Sequence, residues 1–345
     1  MILGEPYSDI SLLTIKNCTV GYSLKQNKNL EVLANLNLSV QPGELITFIG
    51  PNGCGKSTLI KSLVGLIPKL KGELYFKNEN LELTSFSERA ERIGVVLTEP
   101  VYERNMTVKE LVSMGRYTHT NWLGSLSKLD RAIVDESITK VGLRVKINSR
   151  LAELSDGERQ RAMIARVLSQ DVDLIILDEP TAHLDLSNRM EVLLLLKSLA
   201  HEFGKGILLS THELGLALQV SDRIWMVNNQ QQVISDIPEE LIRTGWLDRV
   251  FGNEKISFHP WSASFEVSSK TSIKAFVRGI GILQACVVRL LKRMGVKVIY
   301  ESADQKITID VYEQDQKIVV DNGSKKEIHT LHELQSYITK LLQEA

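Results

Sequence analysis

Gly50-Pro51-Asn52-Gly53-Cys54-Gly55-Lys56-Ser57-Thr58 stands between the apolar run Leu45-Ile46-Thr47-Phe48-Ile49 and the segment Leu59-Ile60-Lys61-Ser62-Leu63-Val64. The three pieces read as strand, glycine loop and helix, and in that context the loop is expected to bind phosphate. Glycines let successive backbone N–H groups turn toward phosphate oxygens, and the positive end of the new helix faces the same oxygens. Lys56 reaches the terminal phosphates, and the Ser57 hydroxyl is placed to ligate Mg2+. A nucleoside triphosphate is therefore expected here. Cys54 lies inside the loop: either helix-end and lysine charge lower its thiol pKa and make it reactive, or the position simply tolerates a small residue.

Cleaving a phosphoanhydride also needs a carboxylate for the metal's shell and a group to orient or deprotonate the attacking water. Asp173-Leu174-Ile175-Ile176-Leu177-Asp178-Glu179 is an apolar run ending in two acids, the pattern of a parallel strand buried on both faces with chemistry at its carboxyl end. Gly206-Ile207-Leu208-Leu209-Ser210-Thr211-His212 repeats the design with histidine at the tip. On this reading Asp178 holds magnesium, Glu179 is the general base, and His212 contacts the terminal phosphate and holds the water in line.

Upstream, residues 11–49 alternate apolar runs with turn residues, as antiparallel strands do. Gly72 to Phe76, Arg92 to Leu97 and Ile224 to Val227 are further expected strands, and one helix is expected from Pro238 to Val250. Between them the spacing of Val108, Leu111, Val112, Ile133, Val134, Ile138 and Val141 is helical and marks a subdomain over about residues 99–165.

The chain has 345 residues, more than one ordinary core accommodates, so about two domains are expected. A net charge of −1 gives no global attraction to nucleic acid or to an anionic membrane. No basic cluster followed by an apolar run opens the sequence, so no secretory signal is expected, and no window is apolar enough to span a membrane. Cys18, Cys54 and Cys286 are too few and too scattered for a disulfide framework, which suits a reducing cytoplasm.

Leu154-Ser155-Asp156-Gly157-Glu158-Arg159-Gln160-Arg161, ahead of Asp178-Glu179-Pro180, resembles the signature motif of ATP-binding cassette (ABC) ATPases. The resemblance runs from residue 11 to about 250. It implies ATP and Mg2+ as cofactors, with Tyr22 stacking on adenine, residues 50–58 as Walker A, and Ser57 and Asp178 at the metal. It further implies Glu179 as catalytic acid, Leu184-Asp185 as D-loop and His212 as switch histidine. The implied fold is α/β: a P-loop core of mixed sheet with an antiparallel β subdomain and a helical subdomain, over residues 1–254. In that family Ser155, Gly157 and Glu158 cover the nucleotide of a second cassette, so a head-to-tail homodimer is implied.

Two departures stand out. Asp156 and Glu158 replace the usual glycine and glutamine, and their carboxylates either point at the partner's γ-phosphate or turn outward to pair with Arg159 or Arg161. Thr98 occupies the slot where the family places a glutamine near magnesium and water, with Glu99 beside it.

Residues 105–130, including Arg116-Tyr117 and Trp122-Leu123-Gly124, look like the cassettes that energise uptake of iron-siderophores, heme and cobalamin. That likeness implies a separate integral-membrane permease docking on the helical subdomain, an indirect link to a substrate-binding protein, and a place at the cytoplasmic face of a bacterial inner membrane. Tyr117 and Trp122 either contact the permease or pack within the subdomain. Two other readings stay open: a soluble ABC ATPase acting on nucleic acid or ribosomes, and a regulatory ATP-binding module with low turnover. Residues 255–345 read as a small α/β or α+β accessory domain, with strands at Ser272–Val277, Val296–Tyr300, Lys306–Tyr312 and Lys317–Val320 and helices at Ile282–Met294 and Leu331–Leu342. Its Gly279-Ile280-Gly281 turn either packs tightly or binds a phosphate.

Overall fold

The computed structural model describes residues 11–24, 29–97, 105–120, 125–260, 262–267, 273–299 and 307–344. Two compact units divide at Thr244/Gly245.

The first unit runs β1 (Leu13–Ser23), β2 (Asn29–Val40), β3 (Leu45–Ile49), α1 (Lys56–Leu63), β4 (Lys71–Phe76), β5 (Glu79–Asn80), α2 (Phe86–Ala90), β6 (Ile93–Val96) and α3 (Val108–Ser113). It continues with α4 (Lys128–Lys140), α5 (Asp156–Leu168), β7 (Leu174–Leu177), α6 (Leu186–His201), β8 (Gly206–Ser210), α7 (Leu214–Val220), β9 (Arg223–Val227), β10 (Val233–Asp236) and α8 (Pro238–Arg243). Strands β2-β1-β4-β5 form an antiparallel sheet, and β10-β9-β3-β8-β7-β6 a second one that is parallel except for β10.

The pleat of the parallel strands divides the core in two. Leu45, Ile175, Leu177, Ile207 and Leu209 face a cluster built with α3 to α7. Ile46, Phe48, Leu174, Ile176 and Leu208 join α1 and the antiparallel sheet. This two-sided burial explains why β3, β7 and β8 carry hardly a polar residue. The sheet order sets β8 between β3 and β7, parallel to both, so the carboxyl ends of all three strands open side by side.

In the helical subdomain the buried Arg116 guanidinium donates to Asp130 Oδ1 (2.9 Å) and to the Ser169 carbonyl (2.9 Å). Asp130 also takes the Ser127 hydroxyl at 2.6 Å in the capping box of α4. These bonds, Ser127 first and Arg116 next, hold the Asp130 carboxyl down to about 2.

The expected helix from Pro238 to Val250 is two helices. Gly245 adopts φ 73 and starts α9 (Trp246–Phe251), which opens the second unit about ten residues before the expected boundary. That unit continues with β11 (Ile256–His259), β12 (Ser264–Val267), β13 (Lys274–Arg278), α10 (Ile282–Arg293), β14 (Lys297–Ile299), β15 (Ile307–Tyr312), β16 (Lys317–Asp321), β17 (Lys325–Ile328) and α11 (Leu331–Glu344). The sheet order is β14-β13-β15-β16-β17, with α10 and α11 contributing Val287, Leu291, Leu334 and Ile338 to its core.

The Gly-x-Gly turn resolves in favour of packing. A Cβ on Gly279 would lie 2.7 Å from the Val311 carbonyl, and the Glu313 carboxylate accepts the Leu283 N–H at 2.8 Å. The positive end of α10 thus holds an acid from its own chain.

Candidate functional site

The loop after β3 is shaped by its glycines. Gly53 and Gly55 take φ 75 and 106, and a Cβ on Gly55 would come 2.5 Å from Val32 Cγ1. Gly55 directly precedes α1, so the first-turn N–H groups open into the loop. The Lys56 ammonium is buried among loop carbonyls, donating to Gly50 (2.9 Å) and Pro51 (3.3 Å). Pro51, Asn52, Gly53 and Ser57 are exposed, while Thr58 is buried with its Oγ1 3.3 Å from the Tyr22 hydroxyl. That contact fixes the end of the Tyr22 side chain, which is 42% exposed, beside the loop.

On the neighbouring strands, Asp178 is buried at the end of β7, and the Ser210 hydroxyl at the end of β8 donates to its Oδ1 at 2.6 Å. Glu179 has φ 50, a left-handed conformation held by its N–H bond to Ser210 Oγ (2.9 Å). Its carboxylate pairs with His212 Nε2. Just beyond, Arg189 donates to the Leu184 carbonyl at 2.6 Å and pairs with Glu213, tying the turn before α6 to the segment after His212.

The N-terminus of α5 is a capping box: Ser155 Oγ accepts from Glu158 N (3.2 Å), and the Glu158 carboxylate accepts from Ser155 N (3.0 Å). Glu158 is also paired with Lys146 at 2.7 Å, and this bond first, the backbone bond second, holds its carboxyl below the usual range. Asp156 pairs with Arg159 at 2.9 Å, whereas Arg161 pairs with Glu191. Both extra acids of the segment are therefore engaged by cations of their own chain. Gly157 abuts Asn188, whose side chain a Cβ would overlap, and Asn188 donates to the Asp185 carboxylate that caps α6.

A nucleotide fits this donor set. Among the described residues no cluster of three or more His, Cys, Asp or Glu can hold a metal alone. Asp178 and the Ser57 hydroxyl are hard oxygen donors, and magnesium is commonly bound by one or two protein oxygens with substrate phosphates and water completing its shell.

The ABC transporter family profile matches residues 33–182. The chain is 34% identical to the achromobactin transport ATP-binding protein of Dickeya dadantii over 70% of this chain and 88% of that one. It is 33% identical to a petrobactin import ATP-binding protein of Bacillus anthracis, over 70% and 89%. The chain belongs to the ABC transporter ATP-binding family. A dimeric bacterial ABC transporter cassette has the same fold, with TM-score 0.56, 26% identity, and coverage of 66% of this chain and 98% of that one. As an ABC cassette it binds ATP and is an ATPase.

Of the expected site residues, the structure gathers residues 50–58, Asp178, Glu179 and His212 at adjacent strand ends. Ser155, Gly157, Glu158 and Asp185 form a second group, and no hydrogen bond or ion pair among the described residues joins the signature residues 155–158 to the loop. Thr98 and Trp122 lie outside the described residues. Burial pushes the Cys54 thiol up more than Lys56 lowers it, so this cysteine is not an activated one. Sequence reasoning passed over Ser210, Lys146, Asn188 and Arg189. Only Ser210 carried a signal, as the polar residue that ends an otherwise apolar buried strand.

Proposed function

We propose that this chain is the ATP-hydrolysing subunit of an importer for an iron chelate, a siderophore, heme or a related corrinoid, working beneath a separate permease at the cytoplasmic face of the cell membrane. The observation that carries this reading is the convergence of the phosphate loop, Asp178, Glu179 and His212 at the ends of β3, β7 and β8, in a family whose similar members include two siderophore-transport subunits.

In this reading Tyr22 stacks on adenine and Lys56 exchanges the Gly50 and Pro51 carbonyls for phosphate oxygens. Ser57 and Asp178 would hold magnesium, which supplies charge neutralisation at the phosphates. Glu179 takes the proton of the attacking water, and His212, paired with it, orients that water and meets the terminal phosphate. Ser155 and Gly157 offer a hydroxyl and backbone N–H groups to the triphosphate of a second copy. That a similar cassette has been solved as a dimer supports the pairing of two copies.

For the permease, Tyr117 is the described candidate. It is 58% exposed while its neighbour Arg116 is buried, which favours docking over internal packing. The test is co-purification of a stoichiometric polytopic partner from membranes, followed by uptake of ferric siderophore, heme and cobalamin in cells lacking this protein. Unimpaired uptake of all three would overturn the cargo assignment.

A further inference from the structure

Between β7 and β8 one buried hydroxyl serves both members of the acid pair. Ser210 is fully buried, gives its proton to Asp178 Oδ1 at 2.6 Å, and accepts the Glu179 N–H at 2.9 Å. The register places it there: Ser210 sits opposite Phe48 of β3 and one residue beyond the Leu177–Leu209 pair. The rest of β8 is buried and apolar, so packing alone calls for an aliphatic residue at this position. Glu179 holds φ 50, a conformation that side-chain-bearing residues keep only when their surroundings over-determine it. The bond to Ser210 is one such determinant.

We propose that Ser210 is a positioning residue for ATP hydrolysis. It aims Asp178 at the metal's shell and turns Glu179 toward His212 and the water, coupling the two through a single hydroxyl. Removing the hydroxyl leaves the partly buried Glu179 N–H and the buried Asp178 Oδ1 each one partner short. The pair then relaxes, with nothing lost from the nucleotide's own contacts.

The test compares Ser210→Ala and Ser210→Thr in the full chain. Ser210→Ala is expected to lower kcat about 30-fold with KM for ATP within about threefold, the mark of lost orientation rather than lost binding. In a Glu179→Gln background, where turnover plays no part, the Mg2+ concentration giving half-maximal ATP-driven dimer by sedimentation should rise about tenfold, and Ser210→Thr should restore most of both effects. If Ser210→Ala does not fold, Ser210→Cys, nearly isosteric and a weak donor, carries the same comparison. Wild-type kcat and Mg2+ dependence in the folded variant would overturn the proposal. It rests on Asp178 holding magnesium, so Asp178→Asn is measured alongside. If that variant also leaves the Mg2+ dependence unmoved, the metal assignment falls and this inference with it; if only the Ser210 variant does, this inference alone falls.

Discussion

Lys146 and Glu158 meet at 2.7 Å across the start of the signature helix, and this pairing turns an acid that the family pattern does not call for into part of the helix cap. The carboxylate is spent on Lys146 and the Ser155 N–H. In the proposed head-to-tail dimer that charge would stand beside the second copy's triphosphate once Lys146→Met releases it, and ATP-driven dimerisation is expected to weaken about tenfold, more so at low salt. Glu158→Gln added to it should return the affinity to near wild type. Sedimentation of the single and double variants at two salt concentrations checks this; additive losses would show that the two residues act apart.

Glu179 and His212 are in contact, so their removal should affect the same step. Glu179→Gln is expected to lower kcat by about 10²- to 10⁴-fold, the range for a general base, with ATP binding kept and the ATP-bound dimer accumulating. His212→Ala should produce a loss of similar order, and the double variant little more than either alone. Single-turnover hydrolysis with a fluorescent-nucleotide binding assay distinguishes this from a binding defect.

Asp130 contributes stability that acid removes. Its carboxyl is held at about 2 in the fold, below its ordinary 3.8, by Ser127 and Arg116. A depressed carboxyl stabilises the fold above its unfolded pKa, and that contribution fades as pH falls through the folded value. Urea midpoints should therefore drop between about pH 4 and pH 2 in the wild type and drop less in Asp130→Asn, which is already weaker at neutral pH. Parallel curves would assign the acid loss to other carboxylates.

Glu313 caps α10 in the second unit, where the Gly-x-Gly turn is packed against Val311. Glu313→Ala should cost about 0.5–2 kcal/mol, the usual worth of a lost N-terminal acceptor. It should leave ATP turnover unchanged. Thermal unfolding together with the steady-state rate measures both; a turnover change would tie this turn to the nucleotide.

The placement of the glycine loop, of Asp178-Glu179 and of His212 just past the ends of β3, β7 and β8 was legible because each is a local pattern, a short apolar strand followed by a fixed set of chemical groups. The central strands were legible for the same reason, since burial on both faces leaves an unbroken apolar run. Strands β10, β11, β12 and β17 were not, being short, half-exposed or charged. The break at Gly245 was hidden within a segment whose spacing suits one helix as well as two.

By itself the sequence determined which groups are present and on which local elements they lie: a glycine loop between strand and helix, an acid pair and a histidine just past the ends of apolar strands, and a Ser-x-Gly segment opening a helix. Only the tertiary structure decided how those groups are held. Lys146 reaches Glu158 from another turn, Ser210 joins Asp178 to Glu179 from the adjacent strand, and Glu313 fills the start of α10 from a distant hairpin. The physical reason is range. Backbone geometry and burial repeat over a few residues and leave a mark in the chain, whereas contacts between groups 12 to 32 residues apart depend on how turns, helices and strands are brought together, which no local pattern records.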